Sequence, residues 1–185
     1  MITLITLKFT LISFIIPLFA RADGPNCTID DAMALNLHSL AIHNPPSPTT
    51  SIPFYNEKEQ QITFSDFNGT ALLVNFWATW CMPCVAEMPA LNEMKNIIKK
   101  SEIKVLAINE DNTGLETVQD FYKKNKLENL DVYLDKEMSL LKSADINGIP
   151  TTLLINKEGD IVVTVQGEAP WNTPMIISFV KKCLN

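Results

Sequence analysis

The chain has 185 residues, a net charge of −6, 46% hydrophobic residues and 19% charged residues. This length and apolar content suit a single packed domain and argue against extensive disorder. Because binding to phosphates requires a basic face, the acidic balance argues against nucleic acid as a partner.

The first 22 residues have the pattern of an export signal. The apolar run at residues 9–20 is shorter than a membrane span of about 20 residues and matches the central region of a signal peptide. Ala20-Arg21-Ala22 supplies a small-residue cleavage site. Lys8 is the only charged side chain before the run, so an uncleaved anchor in the inner membrane is the alternative. Membrane contact is expected only in that case, and both outcomes place the domain in the periplasm.

Residues 23–51 are predicted to form a helical extension followed by a proline-rich stretch that is either an extended linker or the lead into a strand. Apolar residues recur at roughly helical spacing over residues 28–43, and residues 44–53 contain four prolines. His38 and His43 lie in this extension, far in sequence from the other candidate ligands, so we expect ordinary surface residues and no metal site.

Residues 52–185 are predicted to form one domain in which strands alternate with helices. The predicted elements are a hairpin at 52–55 and 61–64, a buried strand at 71–77, a helix at 82–100, a strand at 103–109, a helix at 115–127, a strand at 131–134, a helix at 137–143, a hairpin at 151–156 and 161–166, and a helix at 174–184. This order predicts an α/β fold in which helices cover a mixed sheet.

Cys81 and Cys84 form a Cys-x-x-Cys motif where the strand at 71–77 gives way to the next helix. The free N–H groups and the dipole of a helix N-terminus stabilise a thiolate, which is the attacking species in disulfide exchange. We therefore predict that Cys81 is the nucleophile and Cys84 the resolving thiol. A four-thiolate metal site would need a second pair at similar spacing, and a purely structural bond would close too short a loop to stabilise much. The exchange reaction needs no cofactor.

Three features stand out in and beyond residues 73–89, namely Trp-Cys-x-Pro-Cys at 80–84, Glu87 with Pro89, and Gly-Ile-Pro-Thr at 148–151. With them the chain resembles the thioredoxin superfamily, and specifically its TlpA/ResA/CcmG branch of exported thiol–disulfide oxidoreductases. The resemblance implies a thioredoxin fold, with a central mixed β-sheet flanked by helices. It also implies an N-terminal β-hairpin extension and an inserted helix–strand unit at about residues 114–134.

The resemblance also implies roles for individual residues. Pro150 is expected to be cis and to face the dithiol, and Glu87 is expected to exchange protons with Cys84, with a solvated carboxylate as the alternative. Asn75 stands where plain thioredoxin has a buried aspartate, so no proton relay can pass through it. Four residues are predicted to contact substrate, namely Trp80, Met82, Pro83 and Ile149.

The implied function is reduction of protein disulfides in support of cytochrome c or cytochrome oxidase assembly. The expected partners are protein thiols or disulfides and a membrane-bound electron donor, and the protein is expected to be a monomer. A Cu(I)-binding delivery protein that uses the reduced dithiol is one alternative, and a disulfide oxidase or isomerase is another.

Cys27 and Cys183 are the two remaining cysteines. In an oxidising compartment an even count favours pairs, and the termini of a domain often lie close together. We therefore predict a structural disulfide between them, with a merely buried thiol at Cys183 as the competing interpretation.

Overall fold

The computed structural model describes residues 25–35, 37 and 39–184. The predicted signal segment at residues 1–22 lies outside the described residues, and so does His38. Within the described ranges, no helix has both the length and the apolar character needed to cross a membrane.

The described residues form an eight-stranded mixed sheet in the order β1-β8-β7-β4-β5-β6-β2-β3. The strands are β1 (Ser39–Pro48), β2 (Phe54–Asn56), β3 (Gln61–Ile62), β4 (Ala71–Trp77), β5 (Ile103–Asn109), β6 (Tyr133–Leu134), β7 (Thr151–Ile155) and β8 (Asp160–Gln166). Strand β4 is central, parallel to β5 and antiparallel to β7. All seven residues of β4 are buried, as a strand covered on both faces requires.

Helices and buried side chains cover both faces of this sheet. The helices are α1 (Ile29–Met33), α2 (Met82–Ile98), α3 (Leu115–Asn125), α4 (Ser139–Ser143) and α5 (Pro174–Leu184). Because side chains alternate along a strand, Leu73 joins a core with α2, α3 and α5, whereas Leu72 and Val74 join a second core with α4. The predicted α/β fold is confirmed, including the hairpin β2–β3 and the inserted unit of α3 and β6.

The prediction for residues 28–43 was wrong. The helix there spans only Ile29–Met33, and Ser39–Pro48 is a strand that pairs antiparallel with β8. Leu40 and Ile42 pair with Val165 and Val163, so the apolar period there is two. Of the two interpretations of the proline-rich stretch, the structure favours the strand, because Ser47 and Pro48 pair with β8. Residues that precede prolines favour extended backbone, and an edge strand tolerates missing N–H donors.

Candidate active site

The sulfur atoms of Cys81 and Cys84 form a disulfide at the N-terminus of α2. Cys81 caps the helix, and its Sγ accepts the backbone N–H of Cys84 at 3.3 Å. Pro83 fits the first turn because an N–H there has no intrahelical partner. Cys81 remains 6% exposed whereas Cys84 is fully buried. Cys81, the less buried of the two cysteines, is therefore also the one whose sulfur the helix terminus polarises.

The loop before β7 lies opposite the dithiol. The Ile149–Pro150 peptide bond is cis, and the Ile149 carbonyl oxygen is 3.7 Å from Cys81 Sγ. Trp80 and Met82 flank Cys81 in sequence and are 61% and 82% exposed. Pro83 is also exposed and Ile149 is half-buried. The structure therefore leaves apolar side chains open to a partner on either side of Cys81.

Glu87 lies on α2, three residues after Cys84, and is only 4% exposed. One carboxylate oxygen accepts an N–H of Asn75 at 2.8 Å, and the other accepts the Ala169 N–H at 3.0 Å and the Trp171 indole N–H at 2.7 Å. Burial raises the pKa of Glu87 to about 7, against the three hydrogen bonds that lower it. The carboxyl is therefore not the solvated group of the alternative interpretation, and it changes charge near neutral pH.

Asn75 connects this carboxyl to strand β7, which follows the loop opposite the dithiol. It is fully buried on β4, and its Nδ2 donates both to Glu87 and to the Thr152 hydroxyl at 2.9 Å. Its Oδ1 is buried and has no hydrogen-bond partner among the described residues. The Asn75 amide thus has one acceptor available for a proton donor.

Asp111 is a buried residue that the sequence analysis missed. Its carboxylate accepts the backbone N–H of Thr79 at 3.0 Å and the Thr79 hydroxyl at 3.1 Å, and it also accepts an N–H of Asn109. Thr79 lies two residues before Cys81, so Asp111 fastens the loop that carries the nucleophile. The sequence feature that could have identified Asp111 is the run of polar residues at 109–111, which lies at the carboxyl end of a buried strand.

Two further carboxyls lie near Asp111. Glu110 is buried, and burial together with the charges of Asp135 and Asp111 raises its pKa to about 9. Asp135 accepts the backbone N–H groups of Ser139 and Leu141, each at 3.0 Å. In the part of the chain described here, no group of three or more His, Cys, Asp or Glu is arranged to hold a metal ion.

A second disulfide joins Cys27 to Cys183, with a Cα–Cα distance of 4.8 Å. Both residues are buried, and the bond ties the segment before α1 to the last turn of α5. The bond spans a sequence separation of 156 residues. Chain-entropy arithmetic for a loop of that size gives about 5 kcal/mol of stabilisation.

The Redoxin family model matches residues 43–177 of the chain. The chain belongs to the Redoxin family. The matched region contains the dithiol, Glu87 and the cis-Pro150 loop. Cys27 and Cys183 lie outside it, so the second disulfide is an addition to the part that this Redoxin protein shares with its family.

The chain is also similar to a curated thiol-disulfide oxidoreductase. The chain is 34% identical over 109 residues to the thiol-disulfide oxidoreductase ResA of Bacillus thuringiensis, a match that covers 59% of this chain and 62% of the relative. This Redoxin protein therefore matches less than two thirds of that relative's length. The likeness agrees with the resemblance that the motifs at 80–89 and 148–151 indicate.

Two solved structures share the fold of this Redoxin protein. StoA of Bacillus subtilis is 27% identical, with a TM-score of 0.59 over 71% of this chain and 99% of the other. The exposed lipoprotein thioredoxin of Streptococcus pneumoniae is 24% identical, with a TM-score of 0.60 over 71% of this chain and 98% of the other. The thioredoxin fold predicted from the motifs is confirmed.

Proposed function

We propose that the protein is a thiol–disulfide oxidoreductase that reduces protein disulfides outside the cytoplasm. The observation that carries the proposal is the placement of Cys81. Its sulfur accepts a helix N-terminal N–H and lies opposite the Ile149–Pro150 loop, and the residue is less buried than Cys84. The curated relative ResA carries the name of a thiol-disulfide oxidoreductase, which supports the same activity.

The reaction begins from the reduced dithiol. The Cys81 thiolate attacks one sulfur of a substrate disulfide, a mixed disulfide forms, and the other substrate sulfur leaves as a thiolate that takes up a proton. The Cys84 thiolate then attacks Cys81 Sγ and releases the second substrate thiol. Two electrons pass from the protein to the substrate, and the product is the Cys81–Cys84 disulfide seen in the structure.

Glu87 supplies the base for the second step. Cys84 is fully buried, so its thiol needs a proton acceptor inside the protein before it can attack. Glu87 is one helical turn further along α2, and its pKa of about 7 suits proton exchange at neutral pH. Asn75 cannot titrate, so Glu87 is the group that accepts the proton of the Cys84 thiol.

The site of action is inferred from the N-terminal sequence. The export signal predicted at residues 1–22 places the dithiol in the periplasm, where a membrane-bound donor would return it to the reduced state. The resemblance to the TlpA/ResA/CcmG branch favours substrates in cytochrome c or cytochrome oxidase assembly. The exposed Trp80 and Met82 provide apolar contact area for a protein substrate.

The test is the reduction potential of the Cys81–Cys84 pair, measured by thiol labelling after equilibration with glutathione buffers. Thioredoxin has a potential near about −270 mV and the exported oxidant DsbA near about −120 mV. We expect a value below about −200 mV, together with reduction of insulin disulfides that Cys81→Ser eliminates. A value near the oxidant would reject the reductase direction. Tight Cu(I) binding by the reduced protein without insulin reduction would favour the metal-delivery alternative.

A further inference from the structure

The N-terminal arm, defined as residues 27–35 and Leu37, lies against the body of the domain. The Cys27–Cys183 disulfide fixes its beginning to α5, and the Lys182 ammonium contacts both carboxylate oxygens of Asp31 at 2.7 and 2.8 Å. Thr28 and Asp31 also cap α1 reciprocally. The arm is therefore held in one place by a covalent bond and an ion pair.

Leu35 and Leu37 of the arm line a cavity of about 480 Å³ beside Glu87. The opposite lining comes from Ala86, Glu87 and Ala90 on α2, and the rest comes from residues of the loop before α5, Glu168 among them. Both leucines are half-buried and pack against the larger core. Glu87 and the arm thus line the same partly open space.

We propose that the N-terminal arm controls the access of water to Glu87, with Leu35 and Leu37 as the positioning residues. Glu87 and the two leucines line the same cavity, so an arm held there limits hydration of the charged carboxylate. If the disulfide is absent or the leucines are truncated, water enters from the arm side. Glu87 then becomes easier to ionise.

The groups that contact Glu87 leave its hydration as the factor that the arm can change. Asn75, Ala169 and Trp171 donate hydrogen bonds to it, and none of these neutral donors belongs to the arm. Glu168 is the charged neighbour that raises its pKa, and Cys84 lies one turn before it on α2. Burial is the largest cause of the shift to about 7, so removal of the arm acts on the largest contribution.

The test is a ¹³C NMR titration of the glutamate side chains in the full chain with the Cys81–Cys84 disulfide intact. Glu87→Gln identifies the resonance. We expect its pKa to fall by about one unit in Cys27→Ser/Cys183→Ser and in Leu35→Ala/Leu37→Ala. Ile29→Ala is the matched control, because Ile29 is an apolar arm residue that is 69% exposed, and it should leave the titration unchanged.

An unchanged Glu87 titration in the folded Leu35→Ala/Leu37→Ala variant would overturn the proposal. That variant keeps the Cys27–Cys183 bond, so it decides the matter even if the serine variant does not fold. The importance of the arm for catalysis rests on the proposed function, but the titration requires no turnover. A protein that fails to reduce insulin can still show the shift, and an active protein can lack it, so the two failures are distinguishable.

Discussion

Asn75 donates a side-chain N–H to Glu87 across 2.8 Å, and both residues are buried where β4 packs against α2. Through this contact, the neutral Asn75 amide influences the protonation state of the Glu87 carboxyl. Glu87 is the acid that titrates near neutral pH, and Asn75 stabilises its ionised form without a charge of its own.

Asn75→Asp should raise the pKa of Glu87 further. The substitution removes an N–H donor and sets a second carboxyl within hydrogen-bond distance of the first, so the pair would share a proton. The pH profile of insulin reduction should move to higher pH by one unit or more, on the order of other carboxyl pairs. Asn75→Asp combined with Glu87→Gln is the control and should abolish the displacement. An unshifted profile in Asn75→Asp would show that Glu87 does not govern the rate.

Glu87→Gln should change the pH dependence of stability. The pKa of Glu87 is raised from 4.5 to about 7, so the folded state binds the proton more tightly than the unfolded state. Its contribution to stability is fully present below pH 4.5 and is lost as pH rises through about 7. Between these limits, the unfolding free energy of the wild type should fall relative to the variant by up to about 3 kcal/mol.

Urea denaturation at a series of pH values measures this difference. Glutamine fits the site because its oxygen can accept from Ala169 and Trp171, while its amide can donate to the unpartnered oxygen of Asn75 once that side chain flips. Glu110, whose pKa is raised to about 9, contributes equally to both proteins and cancels. Parallel pH curves for the two proteins would contradict the assignment.

The two cysteines of the dithiol should differ when each is replaced by serine. Cys81→Ser removes the attacking sulfur and should abolish disulfide reduction. Cys84→Ser keeps the attacking sulfur but cannot resolve the mixed disulfide, so it should accumulate a covalent complex with substrate. Non-reducing gel electrophoresis and mass spectrometry detect the complex. Substantial activity in Cys81→Ser would show that the nucleophile is misassigned.

Asp111→Asn should loosen the loop before Cys81. Asparagine keeps one acceptor oxygen for the Thr79 N–H, but it places an NH2 donor opposite the Thr79 hydroxyl. The hydroxyl contact must then reverse direction, and both contacts lose the strength that the carboxylate charge gives them. We expect a loss of about 1–3 kcal/mol in unfolding free energy and a lower rate of insulin reduction. Glu116→Gln, an exposed acid at the start of α3, is the matched control. Equal stability and activity in both variants would contradict a positioning role for Asp111.

The sequence predicted best what is encoded locally. The run at 71–77 and the Cys-x-x-Cys motif after it predicted β4, the start of α2 and the place of the dithiol, because apolar period and helix-start signals are short-range. Strand β1 was missed because its pairing with β8 joins residues such as Ser39 and Gln166, which lie far apart along the chain. Tertiary pairing there outweighed a weak helical pattern.

The surroundings of Glu87 illustrate the same limit at the site. Glu87 was identified from the resemblance to the TlpA/ResA/CcmG branch, but its donors Ala169 and Trp171 lie 82 and 84 residues away in sequence. No local motif marks those partners. The raised pKa could not be foreseen either, because it depends on how completely α2, β4 and the loop before α5 exclude water.

Strand β1 has a consequence for the behaviour of the protein at high concentration. As the end strand of the sheet, it presents one side to solvent, the kind of surface on which chains add to one another. Pro45, Pro46 and Pro48 supply no N–H groups, and the pairing with β8 is irregular between Ile42 and Ser47. The free edge of β1 therefore offers a neighbouring molecule an incomplete row of backbone N–H donors. This opposes self-association by strand addition.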